Sequence, residues 1–394
     1  MLRSIRCGFL PLVDCAPLII AKELTFGVQE GLDLTLVKQP SWSALRDKLA
    51  LGQIDVAHML SPMPIAMSFG LGGMPARIDA LMVLSVNGTV IGVSKELGRR
   101  LGSNGWVNNF DQPLETATAI INAASKPLRI GVPFPFSMHR ILLETWLGQS
   151  AGFEPSQVEI VTVPPPKMAA AVRDGFLDMF CVGEPWGTVA VQQSEATLVL
   201  PSSRIWEFAP EKVLGVRHDW AEANRDTCHS LIRAIYRAAN WLVQPENTPL
   251  AVEILARSQH LNLPDHAIEP ALNNCIVASS GQAPIRCKGF LEFHRQAANF
   301  PWHSQAALMG ERLANWHGLD AGHAQKIARS CFRADIYRDA LTSIGAELPK
   351  KTDKAEGVLF EPTAFPSPKG EMILGPDRLH GGQIFDFDRE KLPK

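Results

Sequence analysis

The sequence lacks an excess of charge of either sign. Its 394 residues include 38 lysines and arginines and 40 aspartates and glutamates, which gives a formal net charge of -2. A protein that binds nucleic acid or an anionic membrane directly usually carries a broad basic surface. We therefore predict that the chain contacts neither directly, and that any role in controlling a nucleic acid requires a partner protein.

Cysteine motifs are also missing. The seven cysteines are odd in number and scattered, and they form neither a C-x-x-C pair nor a Cys/His metal spacing. We interpret them as free, buried thiols of a reducing compartment. The sequence therefore predicts no metal site and no cofactor.

Long apolar runs are absent as well. No stretch of about 18 or more uninterrupted apolar residues occurs, so no transmembrane helix is predicted. Near the N-terminus, Arg3 and Arg6 precede an apolar segment that imitates an export signal, but Pro11 and Asp14 interrupt it and no A-x-A site follows. Because this segment also has the pattern of the first strand of the fold, we expect the protein to be cytoplasmic.

Signatures of common enzyme classes do not occur either. The chain has no G-x-S-x-G turn, no P-loop, no dinucleotide fingerprint and no H-E-x-x-H sequence. No residue pattern nominates a nucleophile. We therefore predict a binding protein and not an enzyme.

What the sequence does contain is a regular alternation of strand and helix patterns. The first strand leads into a turn within residues 8–17. Further apolar runs predict strands at residues 32–37, 55–59, 80–86, 128–132, 158–163, 179–182, 196–201 and 213–217. Helical patterns separate these runs. Such alternation is typical of α/β folds in which helices cover both faces of parallel sheets.

The order of these elements predicts two lobes. Residues 1–90 and 202–348 form a discontinuous first lobe, and residues 91–201 form the second. The two crossings of the chain between them provide a hinge. Residues 349–394 are rich in proline, glycine and charge, so we expect an extended C-terminal tail that wraps or docks.

Several short blocks, taken in order, carry a family resemblance. They are GFLPLVDCAP at 8–17, SW at 41–42, AHMLSPMP at 57–64, CVGEPW at 181–186 and PEK at 210–212. They resemble the nitrate- and bicarbonate-binding proteins of ABC transporters, the NrtA/CmpA family, over about residues 4–350. The resemblance implies a two-lobed, type II periplasmic-binding-protein-like fold that closes on a planar oxyanion.

The resemblance also implies an anion site. In nitrate-binding members a tryptophan, a histidine, a backbone glycine and a lysine hold the anion; the matching residues here are Trp42, His139, Gly183 and Lys212. Those members add a glutamine after Asn-Gly, where this chain has Thr89. This difference could alter affinity or the preference between nitrate and nitrite. Bicarbonate-binding members lack the histidine and lysine and use a metal, so the resemblance implies nitrate or nitrite as the ligand.

The residue types suit an anion with delocalised charge. The indole N–H of Trp42 can only donate, and His139 lies in the first turn of a predicted helix, where backbone N–H groups favour anions. An anion would in turn favour the protonated imidazole. Gly183 permits close approach of the backbone, and Lys212 supplies the one full positive charge.

Each residue taken singly has an ordinary alternative. Trp42 could simply pack in the core, His139 could be a satisfied core or surface histidine, and Lys212 could be a solvated surface lysine. We expect His58 to support a turn. Asp14 and Glu184 are given structural roles, because a carboxylate facing the pocket would repel an anion.

Within the family the chain is most similar to the cytoplasmic nitrate/nitrite sensors of the NasS type. This similarity implies that the anion-free protein sequesters an RNA-binding antiterminator, an ANTAR protein of the NasT type, and that the anion releases it to control nitrate assimilation genes. The alternative is the substrate-binding component of an ABC nitrate/nitrite transporter. An enzyme on the same architecture, as in thiamin-pyrimidine synthesis, would require a histidine- and cysteine-rich motif that is not found.

Overall fold

The described strands form two large mixed sheets, one of six strands and one of five, and two small sheets of two strands each. The computed structural model describes residues 1–387. Its strands are β1 (Arg3–Phe9), β2 (Leu32–Lys38), β3 (Val56–Leu60), β4 (Ile78–Asn87), β5 (Thr89–Ser94), β6 (Leu128–Val132), β7 (Val158–Thr162), β8 (Met179–Gly183), β9 (Ala196–Pro201), β10 (Pro210–Arg217), β11 (Cys275–Ile276), β12 (Ile285–Arg286), β13 (Leu291–Glu292), β14 (Thr363–Ser367) and β15 (Gly370–Leu374). The predicted strands and the α/β class are confirmed.

Helices alternate with these strands and then dominate the region after β10. They are α1 (Ala16–Glu23), α2 (Phe26–Gln29), α3 (Trp42–Ala50), α4 (Met63–Ser68), α5 (Lys95–Ser103), α6 (Pro113–Ala123), α7 (Met138–Leu147), α8 (Met168–Arg173), α9 (Trp186–Gln192), α10 (His218–Ala223), α11 (Arg225–Leu242), α12 (Thr248–Ala256), α13 (Asp265–Leu272), α14 (His303–His317), α15 (Ala321–Cys331) and α16 (Ala334–Thr342). Among the described residues, none of these helices combines the length and the apolar character needed to cross a membrane.

The strand order explains how the chain moves between the sheets. The six-stranded sheet has the order β13-β4-β10-β3-β1-β2, and the five-stranded sheet has the order β7-β6-β8-β5-β9. Strand β4 belongs to the first sheet, and β5, which begins two residues later, belongs to the second. Asn87 (φ 58°) and Gly88 (φ 88°) make the turn between them. Both residues have a positive φ, a conformation that glycine and asparagine adopt more readily than other residues, which explains the Asn-Gly sequence at this turn.

The expectation of parallel sheets was wrong wherever β10 or β5 pairs, and β5 itself was not predicted. Strand β10 lies antiparallel to both β3 and β4, and β5 lies antiparallel to both β8 and β9. Both strands adjoin a segment at which the chain passes from one sheet to the other, so neither follows a helical crossover within its own sheet. Helical crossovers are what make neighbouring strands parallel. The assignment of residues 1–90 and 202–348 to one lobe, and of 91–201 to the other, stays a prediction.

Residues 349–387 follow the surface as an extended segment with one hairpin, β14 and β15. Within this segment the Lys354 ammonium contacts the Glu356 and Asp377 carboxylates, and all three side chains are buried. The Ser304 hydroxyl on α14 donates to the Glu356 carboxylate (2.6 Å) and so ties the segment to that helix. The remainder of the predicted tail, beyond residue 387, lies outside the described residues.

The cysteines match the expectation of free thiols. All seven are unpaired; six are buried and Cys275 is partly exposed. Burial raises the pKa of Cys7, Cys15 and Cys181 far above that of an exposed thiol. These groups are therefore uncharged and pack as apolar side chains.

Candidate functional site

Two of the predicted site residues lie in the first turn of a helix. Ser41 caps α3 by accepting a hydrogen bond from the Ala44 N–H (3.2 Å), which places Trp42 at the first helical position. Ser137 caps α7 in the same way through the Arg140 N–H (3.4 Å) and places His139 at the second position. The first-turn N–H groups of both helices have no acceptor within the helix, and those that the serines do not cap point outward from the helix start.

The Trp42 and His139 side chains are both buried, at 1% exposure each. Neither the Trp42 Nε1 nor either ring nitrogen of His139 has a hydrogen-bond partner within the part of the chain that the structure describes. A buried donor without a partner costs about 1–3 kcal/mol. These nitrogen atoms are therefore candidates to donate hydrogen bonds to a ligand.

Lys212 is fully buried on β10 and is held by two carboxylates. Its Nζ lies 2.6 Å from the Asp14 Oδ2 and 2.7 Å from the Glu211 Oε1. The same Nζ lies 5.5 Å from the centroid of the Trp42 ring. The interpretation of Lys212 as a solvated surface lysine is therefore wrong.

Asp14 and His58 complete the surroundings of Lys212. The Asp14 Oδ1 lies 2.9 Å from the His58 Nε2, and the His58 and Trp42 ring centroids are 5.8 Å apart. Asp14 thus bridges His58 and Lys212 and holds both in position. The sequence did not reveal this bridge, although both residues lie in the blocks that carried the family resemblance.

Gly183 and Thr89 are partners in register on strands β8 and β5. Gly183 is the last residue of β8 and Thr89 is the first residue of β5, so both lie at the end of the five-stranded sheet that faces the N-terminal turn. A Cβ placed on Gly183 would lie 2.7 Å from the Leu12 Cδ2 and 3.5 Å from the Asp14 Oδ2. Only glycine lets the end of β8 approach the turn this closely.

Backbone hydrogen bonds fix that approach. The Val13 N–H donates to the Glu184 carbonyl (2.8 Å), and the Glu184 N–H donates to the Gly88 carbonyl (3.1 Å). The Glu184 carboxylate accepts from the N–H and the hydroxyl of Thr188, at 3.0 and 3.1 Å. It therefore serves the start of α9, in the structural role expected for it, and burial raises its pKa to about 7.

Burial and charge oppose each other throughout the cluster. Burial alone would raise the pKa of Asp14, but Lys212 and His58 outweigh it and lower that pKa to about 2. Burial would lower the pKa of Lys212, but Asp14 and Glu211 raise it above its ordinary value. For Glu211 burial prevails over the attraction of Lys212, and the pKa rises to about 7.

The same forces decide the charge of His139. Burial and the nearby Lys212 charge hold the pKa of His139 well below its ordinary value. The lowered pKa favours the neutral ring, which carries one N–H donor. That a bound anion favours the protonated imidazole stays a prediction. Its Nδ1 lies 3.3 Å from the Glu211 Oε1.

A second group of ionisable residues lies apart from this cluster. Asp79, His218 and Glu222 present ligand atoms close enough together to hold a metal ion, the single such group found within residues 1–387. However, the Arg333 guanidinium contacts both Asp79 and Glu222, and the His218 Nδ1 lies 2.9 Å from Asp79. A cation already balances these carboxylates, so the prediction of no metal site stands as a prediction.

The arrangement brings all the predicted site residues into one region. Trp42 and Lys212 come from the elements of the six-stranded sheet, and His139, Gly183 and Thr89 come from those of the five-stranded sheet. Their buried donors, together with one ammonium group, suit a small ligand that offers several oxygen acceptors and one negative charge.

Comparisons with known proteins agree with this chemistry. Residues 2–256 match the NMT1-like family. The chain is 31% identical over 379 residues to the nitrate/nitrite binding protein NrtA of Nostoc sp. PCC 7120, covering 94% of this chain and 84% of that protein. It also matches the crystal structure of the periplasmic nitrate-binding protein NrtA of Synechocystis PCC 6803, with a TM-score of 0.80, 27% identity and 94% coverage of both chains. The predicted two-lobed solute-binding fold is confirmed.

Other relatives are longer than this chain. The nitrate import ATP-binding protein NrtC of Synechococcus elongatus is 33% identical over 368 residues, which are 92% of this chain. The chain spans about half (53%) of that protein's length. The relatives matched over most of their length are named as binding proteins, in agreement with the prediction of a binding protein.

Proposed function

Since this chain belongs to the NrtA/CmpA branch of the NMT1-like family, we propose that it binds nitrate or nitrite in the buried cluster around Lys212. The observation that carries the proposal is the pair of buried side chains, the Trp42 indole and the His139 imidazole, which make no hydrogen bond within the described residues and lie close to a buried ammonium group. The one polar contact of His139 is the Glu211 carboxylate, 3.3 Å from its Nδ1. A planar oxyanion offers the oxygen acceptors that these donors need.

Each residue has a distinct role in this proposal. Lys212 supplies the positive charge, while Trp42 and His139 donate to the anion's oxygens. Gly183 lets the backbone at the end of β8 come close to the ligand, and the Thr89 hydroxyl stands where nitrate-binding relatives have a glutamine. The threonine side chain is shorter than that of glutamine, so the Thr89 hydroxyl can bind the anion only if the anion lies closer to the backbone of β5.

Glu211 is the competitor of the anion. Its Oε1 lies 2.7 Å from the Lys212 Nζ and 3.3 Å from the His139 Nδ1, so it occupies an acceptor position between two of the proposed ligand contacts. Protonation or rotation of this carboxyl would expose both groups to the anion. Asp14, with its pKa of about 2, stays ionised and keeps Lys212 in place.

We further propose that the protein binds the anion as a regulatory sensor and does not deliver it to a transporter. In this proposal the protein is a cytoplasmic nitrate/nitrite sensor, and its anion-free form holds an RNA-binding antiterminator of the NasT type until the anion releases it. The support is that the ligand contacts come from elements of both sheets, so the anion favours one arrangement of the two predicted lobes. A partner that favours the other arrangement is then released through reciprocal coupling.

Transport is the second candidate. The relatives named for nitrate binding and import favour the substrate-binding component of an ABC nitrate/nitrite transporter. Both candidates share the anion site but differ in where the protein acts. Fractionation of cells separates them, because the sensor stays with cytoplasmic markers while a transport component is recovered outside the cytoplasm.

Calorimetry tests the site itself. Nitrate, nitrite and bicarbonate are titrated into the wild-type protein and into the His139→Ala and Lys212→Ala variants, with Arg99→Ala, an exposed arginine on α5, as the control. We expect nitrate or nitrite to bind the wild type and the control, both site variants to bind at least about tenfold more weakly, and bicarbonate not to bind. Strong bicarbonate binding, or equal affinity in all variants, would overturn the proposal.

A pull-down tests the sensor mechanism. The purified protein is mixed with a NasT-type antiterminator and nitrate is titrated into the complex. We expect a complex without the anion that dissociates as nitrate rises, and one that persists in Lys212→Ala at the same nitrate concentration. A complex indifferent to nitrate would refute the sensor while leaving the anion site intact.

A further inference from the structure

Helices α7 and α14 belong to different sheets but contact each other through their side chains. Helix α7 packs against β8 of the five-stranded sheet, whereas α14 packs against α4, which in turn packs against β3 and β4 of the six-stranded sheet. A contact between α7 and α14 therefore joins the two halves of the molecule that supply the proposed anion contacts. Contacts between such halves of one chain are commonly polar, and relative movement of the halves is the default expectation.

Trp316 makes this contact from the last turn of α14. The helix ends at His317, and Gly318 follows with a φ of 64°, the left-handed conformation that commonly terminates helices. The Cζ of Arg140, on α7, lies 4.0 Å from the centroid of the Trp316 ring. The Trp316 Nε1–H donates to the Oε2 of Glu144, also on α7. Both the ring and the N–H group of this tryptophan are therefore bound by α7.

Arg140 and Glu144 also bind each other. They are four residues apart and so lie on one face of α7, with 2.8 Å between the Arg140 Nε and the Glu144 Oε1. The carboxylate thus binds the arginine with one oxygen and accepts from the indole N–H with the other. A guanidinium stacked on a tryptophan ring and a hydrogen bond to a charged acceptor are both stronger than ordinary polar contacts. We call Arg140, Glu144 and Trp316 the α7–α14 clamp.

The clamp holds the segment that carries His139. Arg140 directly follows His139 in α7, and Phe136 precedes it by three residues. Phe136 also contacts the half of the molecule that contains the six-stranded sheet: its ring centroid lies 5.8 Å from that of His317, and a Cβ on Gly72 would lie 2.9 Å from its Cε2. His139 therefore lies between two contacts with the other half, and its position relative to the buried ammonium group depends on them.

We propose that the α7–α14 clamp positions His139 and slows the release of the anion. This inference rests on the proposed nitrate or nitrite site. The anion contacts come from both halves, so the anion leaves when the halves separate, and separation has to break the clamp. Among residues 1–387, none of the three clamp side chains hydrogen-bonds to Trp42, His139 or Lys212, so they act as positioning residues and not as ligands of the anion.

The dissociation rate of nitrate tests the clamp. Rapid dilution of the nitrate-loaded, full-length protein measures this rate through tryptophan fluorescence, since Trp42 lies at the proposed site. Glu144→Leu removes the acceptor of the Trp316 N–H and the partner of Arg140, but keeps all nine tryptophans. We expect nitrate to leave this variant about tenfold faster than the wild type. Glu144→Gln keeps an acceptor oxygen for the indole N–H and should restore most of the slow release.

Glu253→Leu is the matched control. Glu253 and Arg257 form an ion pair between positions four residues apart, near the end of α12, as Arg140 and Glu144 do on α7, but this pair does not join α7 to α14. Nitrate should leave this variant at the wild-type rate. If nitrate binds the wild type and leaves Glu144→Leu equally slowly, the clamp does not control release, and this inference is wrong while the anion site stands.

A double-mutant cycle tests the contact without any ligand. Urea denaturation gives the free energy of unfolding of Trp316→Phe, Glu144→Leu and the double variant. Both single changes remove the same hydrogen bond, so the double variant should lose less stability than the sum of the two single losses. Additive losses would overturn the clamp. Coupled losses in a protein that binds no nitrate would overturn the proposed anion site, and with it the effect of the clamp on release.

Discussion

Glu211 places one carboxylate oxygen between Lys212 and His139: its Oε1 lies 2.7 Å from the lysine Nζ and 3.3 Å from the histidine Nδ1. All three side chains are at most 1% exposed. A negatively charged oxygen at this position satisfies Lys212 in the same way as the oxygen of a bound anion would. We therefore expect the charge of Glu211 to control the affinity for the anion.

Anion binding should strengthen as the pH falls from 8 to 6. Burial raises the pKa of Glu211 to about 7, so the carboxyl is mostly charged at pH 8 and mostly neutral at pH 6. Neutral Glu211 no longer competes for Lys212, and above pH 7 the affinity should fall by up to about tenfold per pH unit. Calorimetry at pH 6, 7 and 8 in two buffers of different ionisation heat measures both the affinity and the proton uptake.

Two variants assign this pH dependence. Glu211→Gln cannot ionise, so its nitrate affinity should be nearly constant over the same range. Glu184→Gln removes the other buried carboxyl with a pKa near 7, but that group contacts Thr188 and not Lys212, so the pH dependence should persist. A wild-type affinity that does not change with pH would contradict this role of Glu211.

Glu184 should make the protein less stable as the pH rises. Its pKa is raised from 4.5 to about 7 by burial, so the folded state binds the proton more tightly than the unfolded state. The stabilisation from this group is complete below pH 4.5 and is lost as the pH rises through 7. Urea denaturation at pH 5 and pH 8 measures the free energy of unfolding of the wild type and of Glu184→Gln. Between the two pH values, the variant should gain roughly 1–3 kcal/mol of stability relative to the wild type. An unchanged difference would refute the raised pKa.

Gly183→Ala should destabilise the fold and weaken the anion site together. The added methyl group would lie 2.7 Å from Leu12, so the N-terminal turn has to move away from the end of β8. Overpacking of this kind costs about 1–3 kcal/mol. Gly102→Ala on α5 is the matched control, because a Cβ there meets nothing within 4 Å and the helix tolerates alanine. Urea denaturation and nitrate calorimetry on both variants provide the comparison.

Lys212→Met should cost more stability at high pH than at low pH. Without the ammonium group, Asp14 and Glu211 stay buried with no cation between them, and breaking a buried ion pair costs about 3–5 kcal/mol. Below pH 7 the proton on Glu211 relieves part of this cost. Thermal or urea unfolding at pH 6 and pH 8 measures it, with Lys22→Met, a partly exposed lysine on α1, as the control. A loss of stability equal at both pH values would contradict the coupling between Lys212 and Glu211.

The local elements could be predicted because their signals lie within a few residues of each other. Ser41 and Ser137 cap helices from the position that directly precedes each helix, and the apolar runs of the strands are continuous in the sequence. Trp42, Gly183 and Lys212 came from short blocks whose order is itself a sequence property, whereas His139 and Thr89 came from the match to nitrate-binding family members. The return of the chain to the first lobe after residue 201 was predicted, but the pairing direction of β10 was not, because it depends on the end of the sheet at which the chain re-enters.

The sequence by itself therefore determined the α/β class, the elements and the family, together with the residue types of the site. The tertiary structure decided their chemical state. Lys212 meets Asp14 across nearly two hundred residues of chain, and its contacts with Asp14 and Glu211 keep the buried ammonium charged. Burial, which no local pattern encodes, also makes His139 neutral and moves the pKa of Glu211 toward 7. Desolvation and long-range pairing act on a group only once the fold has removed water from it.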